Sequence, residues 1–394
     1  MSVKLNDNYD NLVKNYLFSE IAKRVKAYTA ANPDKKIIKL GIGDVTQPLS
    51  KTIVEAMSKA VVEMGSQDTF RGYPPEWGYE FLRQAIVDHY SNRCGVTLKQ
   101  DDIFVSDGAK SDCGNIPEIF GDNEIIIPDP VYPVYLDSNI MAGRHVTFIN
   151  ADQSNLFLPM PDGIEGGNYI IYLCSPNNPT GAVYNKEQLA KWVEFAKKTS
   201  SIIIFDSAYE AYISQGEPRS IYEIPGAKEC AIEICSLSKS AGFTGTRCSW
   251  TVVPTELMIG DKSINAMWAR RQATKFNGVP YIIQRGAEAA LSEEGRKECM
   301  AQVEYYMRNA NLIANLLKEK GIFFTGGISS PYIWLKVPNG YTSWEFFDKL
   351  LNEVQIVGTP GSGFGKNGEG FFRLTAFGSY ENTLEAVERL RKFL

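Results

Sequence analysis

The sequence predicts an α/β fold: a large unit on a mainly parallel β-sheet covered by helices on both faces, followed by a smaller α+β unit. Two observations lead there. Between about Asp102 and Ser238, short apolar runs (IFVSD, EIIIPDP, HVTFIN, YIIYLCS, SIIIFD and CAIEICSLS) are separated by helical stretches. They do not alternate polar with apolar residues, as expected of strands buried on both faces. After residue 286 a long helical stretch leads to three further strand-like runs, IFFTGG, YIWLKV and FFRLTAF, and a C-terminal helix. The expected division is an N-terminal arm with part of the small domain over 1–48, a large α/β domain over 49–286, and a small α+β domain over 287–394.

Taken in order, the chain starts with a polar arm. A helix follows with Leu17, Ile21, Val25 and Tyr28 at helical spacing, ended by Asn32-Pro33-Asp34. IIKLGIG (37–43) reads as a strand, D-V-T-Q-P as a turn, and Ser50 to Met64 as a helix. RGYPPEWG is a Gly/Pro loop feeding a helix that bears Phe81, Leu82, Ile86 and Tyr90. Near the C-terminus, GTPGSGFGKNGEG (358–370) reads either as a loop over a ligand or as a mobile hairpin connection.

Composition excludes several classes of function. A formal net charge of −5 argues against nucleic acid or an anionic membrane as the main partner. No run approaches the roughly 18 apolar residues of a membrane span, and the first residues lack a signal-peptide layout, so the cytoplasm is the expected compartment. Seven cysteines without a C-x-x-C pair read as reduced thiols, with Cys174 and Cys235 in strands. With only His89 and His145, a histidine triad or a multi-histidine zinc site is nearly excluded, and no metal is expected.

Chemistry concentrates at strand ends, where open α/β sheets bind ligands. In AIEICSLSKSAGFTGTRCSWTVVP (231–254), Lys239 lies in a turn between two apolar strands. Poor solvation there lowers an ammonium pKa and suits a Schiff-base amine. Ser236, Ser238 and Arg247 supply hydroxyls and a guanidinium suited to a phosphate. Pyridoxal phosphate requires that combination, although a surface turn could use the same residues. Asp206, closing IIIFD, reads either as a turn cap or as a partner for a protonated pyridine nitrogen. Tyr209 and Asn178 could each donate to a ring oxygen. Gly108-Ala109-Lys110 offers N–H groups at a helix start, either to an anion or to an ordinary cap. Tyr132 in DPVYP reads as a ring neighbour or as core packing. Arg373, among aromatics in GFFRLTAF, is either a carboxylate clamp or a solvent-facing strand residue.

In chain order, RGYPPEWGYEFLR, SDGAK, DPVYP, SPNNPTG, FDSAY, SLSKSAGFTGTR, FNGVP and FFRLTAF resemble the fold-type I pyridoxal-phosphate-dependent aminotransferases over nearly the whole chain. KNYLF, LGIGDVTQPL, RGYPPEWG, SIYEIPGAKECAIEICSLSK and PGSGFGKNGEGFFRLTAFGS resemble the members that act on LL-diaminopimelate. The resemblance implies a seven-stranded sheet between helices and a homodimer with shared sites. It implies Lys239 as Schiff-base lysine and proton shuttle, Asp206 on the pyridine nitrogen, and Tyr209 and Asn178 on the ring oxygen. Ala109, Lys110, Ser236, Ser238 and Arg247 would hold the phosphate, Tyr132 would flank the ring, and Tyr73 and Asn277 would reach across from a partner subunit. Arg373 would clamp the substrate α-carboxylate, with Tyr16, Gly43, Glu76, Lys110, Tyr132, Asn178 and Asn277 meeting the rest of a long substrate. Glutamate and 2-oxoglutarate would be the exchange pair. Trp77 follows Glu76 where the family pattern has glutamine.

Overall fold

The computed structural model describes residues 3–13, 17–41 and 43–394. Seven strands form the large sheet: β1 (Ile103–Ser106), β2 (Ile125–Asp129), β3 (Val146–Asn150), β4 (Ile170–Cys174), β5 (Ile202–Asp206), β6 (Ala231–Ser236) and β7 (Ser249–Val252). Their spatial order is β1-β7-β6-β5-β4-β2-β3. Neighbours from β6 to β3 run parallel, and β7 is antiparallel to both β6 and β1.

The unbroken apolar runs have a direct cause. Along β5, Ile203 and Phe205 enter one core while Ile202 and Ile204 enter the other, and β4 divides Ile171 and Leu173 from Ile170 and Tyr172 in the same way. Both faces are covered, so each position is apolar, and burying each such side chain contributes about 1.5–3 kcal/mol. The first core also takes Leu82, Ile86 and Tyr90, and the second takes Cys113 and Tyr135.

The helices are α1 (Leu17–Ala31), α2 (Lys51–Met64), α3 (Glu80–Cys94), α4 (Ala109–Asn115), α5 (Pro133–Met141), α6 (Lys186–Lys198), α7 (Leu237–Ser240), α8 (Ile264–Lys275), α9 (Tyr281–Leu291), α10 (Glu293–Glu319), α11 (Ser343–Lys349) and α12 (Tyr380–Phe393). The stretch read as one long helix after Gly286 is two, because Ser292 breaks off α9 and caps α10 with its hydroxyl on Gly295 N, 3.1 Å away. None of the described helices is long and apolar enough to cross a membrane.

The second unit carries an antiparallel sheet of β8 (Phe324–Gly326), β9 (Tyr332–Lys336), β10 (Thr359–Pro360) and β11 (Phe371–Thr375), in the order β8-β9-β11-β10. Its core includes Ile333, Leu335, Phe372 and Leu374, with Ile21, Val25 and Tyr28 of α1 packed against it. Of the strand read over 37–43, only Ile38–Lys39 pairs as a strand, parallel to Ile356–Val357. The chain then passes so close to Gly358 that a Cβ on Gly41 would stand 2.8 Å from its backbone, before turning toward the ends of the large sheet.

Past β10, residues 361–370 form a loop. It folds into two short turns pinned to the end of β2 and the segment after it: Asn367 N donates to Asp129 Oδ1 (3.2 Å) and Val131 N to Phe364 O (2.8 Å).

Candidate active site

Beyond the carboxyl ends of β5 and β6, between the two units, lies a cavity of about 480 Å³, within the range of small-molecule sites. Gly43, Ala109, Lys110, Tyr132, Asn178, Asp206, Tyr209, Ser236, Ser238, Lys239, Arg247 and Arg373 line it. They come from eight separate stretches of chain: several are loops that strands of the large sheet deliver to one edge, while Gly43 and Arg373 come from outside that sheet.

Lys239 projects from α7, whose start is fixed by Ser236 Oγ accepting from Ser238 N at 3.1 Å. Its Nζ donates to Gly43 O. Burial lowers the amine's pKa to about 8; Asp44 opposes the shift and Arg247 and Arg373 add to it. Near neutrality this amine is much closer to losing its proton than a surface lysine.

Asp206 is buried at the end of β5. Its Oδ1 accepts from Ala208 N (2.9 Å), and its Oδ2 accepts from Tyr135 Oη (2.5 Å) and weakly from Cys113 Sγ (3.9 Å). Burial raises its pKa, and these three donors pull it back.

One side of the cavity is a cluster of donors. Ser236, Ser238, Thr244 and Arg247 meet the first N–H groups of α4, Ala109 and Lys110, which lack intrahelical acceptors. Arg247 Nη1 donates to Thr244 O (3.2 Å) and to Ser238 Oγ (3.4 Å). Gly108 has φ +147°, and a Cβ there would stand 1.8 Å from Arg247 Nη2, so only glycine admits the guanidinium.

Arg373 settles the ambiguity of its strand face. It is only 1% exposed, sits opposite Trp334 in β9, and has no ion pair among the described residues. Nη1 donates to Asn178 Oδ1 (2.6 Å) and Nη2 to Gly41 O (3.2 Å), while Nε has no acceptor among the described residues. Its charge centre lies 4.7 Å from the Tyr332 ring and 4.8 Å from that of Phe364. A guanidinium buried without a counter-ion is costly, and Arg373 lines the cavity that a carboxylate would enter.

Tyr73, Glu76 and Asn277 do not line this cavity. Tyr73 is 88% exposed, and Glu76 and Asn277 are exposed too. Their loops touch, since a Cβ on Gly278 would stand 2.7 Å from Pro75 O, so the three belong to one outward-facing patch. Trp77 packs edge-on against Phe104 and donates to Ala269 O. Tyr16 lies outside the described residues.

Sequence reading missed Asp44, Tyr135 and Tyr332, all lining the cavity. Tyr332 Oη shares a 2.6 Å hydrogen bond with Tyr209 Oη. A signal existed for Tyr135, one helical turn beyond Tyr132; Tyr332 sits in an apolar strand run that hides its role. His89 is buried away from the cavity, and burial pushes its pKa down to about 4, leaving it neutral at pH 7.

A doubly covered, mainly parallel sheet with an amine and a carboxylate at its strand ends, sharing a cavity with an uncompensated guanidinium of the small unit, defines a fold-type I α/β transferase acting on amino acids. The aminotransferase class I and II family model matches residues 35–390, and the chain belongs to that family. It is 56% identical to an LL-diaminopimelate aminotransferase of Agathobacter rectalis and 55% identical to one of Lachnospira eligens, each match covering 98% of this chain and 99% of the relative. Among solved structures, L,L-diaminopimelate aminotransferase from Chlamydomonas reinhardtii superposes with a TM-score of 0.93 at 43% identity, covering 100% of this chain and 99% of that one.

Proposed function

We propose that this aminotransferase uses pyridoxal 5′-phosphate to exchange an amino group between LL-diaminopimelate and 2-oxoglutarate, forming LL-diaminopimelate from tetrahydrodipicolinate and glutamate in lysine biosynthesis. The observation that carries the cofactor reading is the shared cavity of Lys239, Asp206 and Arg373 with a cup of hydroxyl, N–H and guanidinium donors. The residues present fit the group. Ser236, Ser238, Arg247, Ala109 and Lys110 would hold its phosphate, Asp206 its pyridine nitrogen, Tyr209 and Asn178 its ring oxygen, and Tyr132 its face. When bound, pyridoxal phosphate supplies a carbonyl carbon conjugated to a protonated ring that withdraws electrons from the substrate α-carbon.

The chain's own groups do the rest. Lys239 Nζ would hold the cofactor covalently and, when free, would take the substrate α-proton; a pKa near 8 suits this near neutrality. Arg373 meets the α-carboxylate with its open donors and so orients the α-carbon. The same lysine would return the proton, and the two half-reactions would share one site, so ping-pong kinetics are expected.

The substrate reading rests on near-full-length identity to LL-diaminopimelate aminotransferases. Lys110 and Gly43 line the cavity beside the expected position of the substrate. Tyr73, Glu76 and Asn277 suit completion of the site from a second copy in a cytoplasmic homodimer, with Tyr16 as a further substrate contact. The deciding assay compares LL-diaminopimelate, aspartate and phenylalanine as amino donors to 2-oxoglutarate. A preference for LL-diaminopimelate supports the reading, and a preference for either other donor replaces it with an aspartate- or aromatic-type aminotransferase.

A further inference from the structure

The carboxylate of Asp206 is unevenly loaded. Among the described residues, Oδ2 receives two donors, Tyr135 Oη at 2.5 Å and Cys113 Sγ at 3.9 Å, and Oδ1 receives only Ala208 N, at 2.9 Å. A carboxylate oxygen offers about two acceptor sites, so Oδ2 is full and Oδ1 keeps one free.

Tyr135 is itself locked in place. It is 2% exposed on α5, its ring stacks on Tyr172 with centroids 4.9 Å apart and planes 19° apart, and its main-chain oxygen accepts from Asn139 Nδ2 at 2.7 Å. Tyr172 Oη donates to Cys113 O at 2.9 Å, which ties α4 to the same assembly. The other titratable groups around Asp206 are the Cys113 and Cys174 thiols and, from β9, the Tyr332 hydroxyl. Burial raises the pKa of all three, so they stay neutral over the working range. The Tyr135 proton is held for the same reason, which keeps that hydroxyl a donor.

We propose that Tyr135 is a positioning residue for Asp206: its hydroxyl holds Oδ2, keeps the carboxylate anionic in a buried place, and leaves Oδ1 to receive the ring N–H of the cofactor. This rests on the cofactor reading above. A carboxylate stripped of this donor would take up a proton more readily and would turn more freely about its own bonds.

The test is Tyr135→Phe, which keeps the ring and its stacking and removes one hydroxyl. Tyr184→Phe is the control, since it removes an equally buried hydroxyl that donates to Pro159 O at 3.0 Å. In ligand-free protein with ¹³C-labelled aspartate, the carboxyl titration midpoint of Asp206 should rise by about one pH unit in Tyr135→Phe and stay put in Tyr184→Phe. In holoenzyme, kcat should fall and the cofactor dissociation constant rise, each about tenfold, with KM for the amino donor unchanged because Arg373 is untouched. An unmoved Asp206 midpoint, or equal changes in both variants, overturns the proposal. Failure of the wild-type protein to bind pyridoxal phosphate defeats the cofactor reading and the ring contact with it, whatever the ligand-free titration gives, so the two failures are distinguishable.

Discussion

Asp206 and Glu233 lie one residue out of register on adjacent parallel strands, with Phe205 opposite Glu233 and Asp206 opposite Ile234. Both are buried, and burial raises the pKa of both. Their side chains leave opposite faces of the sheet and meet different surroundings. Glu233 accepts from Tyr90 Oη (2.6 Å), Ser207 Oγ (3.2 Å), Ser220 Oγ (2.7 Å) and Ile221 N (2.9 Å), two donors to each oxygen. Asp206 keeps an acceptor site open among the described residues, and it lines a cavity that Lys239 and Arg373 also line. Buried charge satisfied within the protein is structural, whereas buried charge left partly unsatisfied marks where a ligand completes the count.

If this distinction is correct, substitutions on the cavity side should remove activity and those on the far side should remove stability. Lys239→Ala is expected to have the largest effect, lowering kcat by at least about 10⁴-fold because both attachment and proton transfer are lost. Single-turnover absorbance with an amino donor measures it. Next comes Asp206→Asn, where losing about 3–5 kcal/mol of charge stabilisation lowers kcat roughly 10²- to 10⁴-fold. Its melting temperature without cofactor should equal or exceed that of wild type, since a carboxylate raised by burial gives way to a neutral group. Glu233→Leu should do the reverse: kcat per folded molecule stays within about twofold, while orphaned donors cost about 1–3 kcal/mol of unfolding free energy, read from urea denaturation. A Glu233 variant that folds normally but lacks activity would break the comparison. Arg373→Lys should be milder than Asp206→Asn, raising KM for the amino donor about 10- to 100-fold as the planar fork is lost.

The contrast also shows what the sequence could reveal. IIIFD and AIEICS announced strands because both sheet faces are buried, and Asp206 and Lys239 stood out as charges at the ends of those runs. Glu233 was equally anomalous within AIEICS, yet its meaning depends on Tyr90, Ser207 and Ser220, which come from distant parts of the chain. Arg373 was undecidable from alternation alone; pairing of β11 with β9 and β10 turned it inward. Asp44 and Tyr332 were illegible for the same reason, because their positions depend on how the small unit meets the large sheet rather than on any local pattern.

The smallest effect sharpens the comparison most, because it reads the two sides of the sheet by pH. On the cavity side, the rate at which a small aldehyde and borohydride trap Lys239 in ligand-free protein should rise with pH and level off above about 8, as the amine loses its proton. On the far side, burial holds the Glu233 pKa up at about 7 against an ordinary 4.5. The folded state therefore binds that proton more tightly than the unfolded state. The resulting stability is fully present below the unfolded pKa and is lost as pH rises through about 7. Glu233→Gln cannot titrate, so its urea midpoint should lose this component of the decline between about pH 4.5 and 7, while Lys239 trapping keeps its wild-type pH profile. If the variant's midpoint fell with pH as steeply as the wild-type one, the proton would belong to another group and Glu233 would not be the buried carboxylate that titrates.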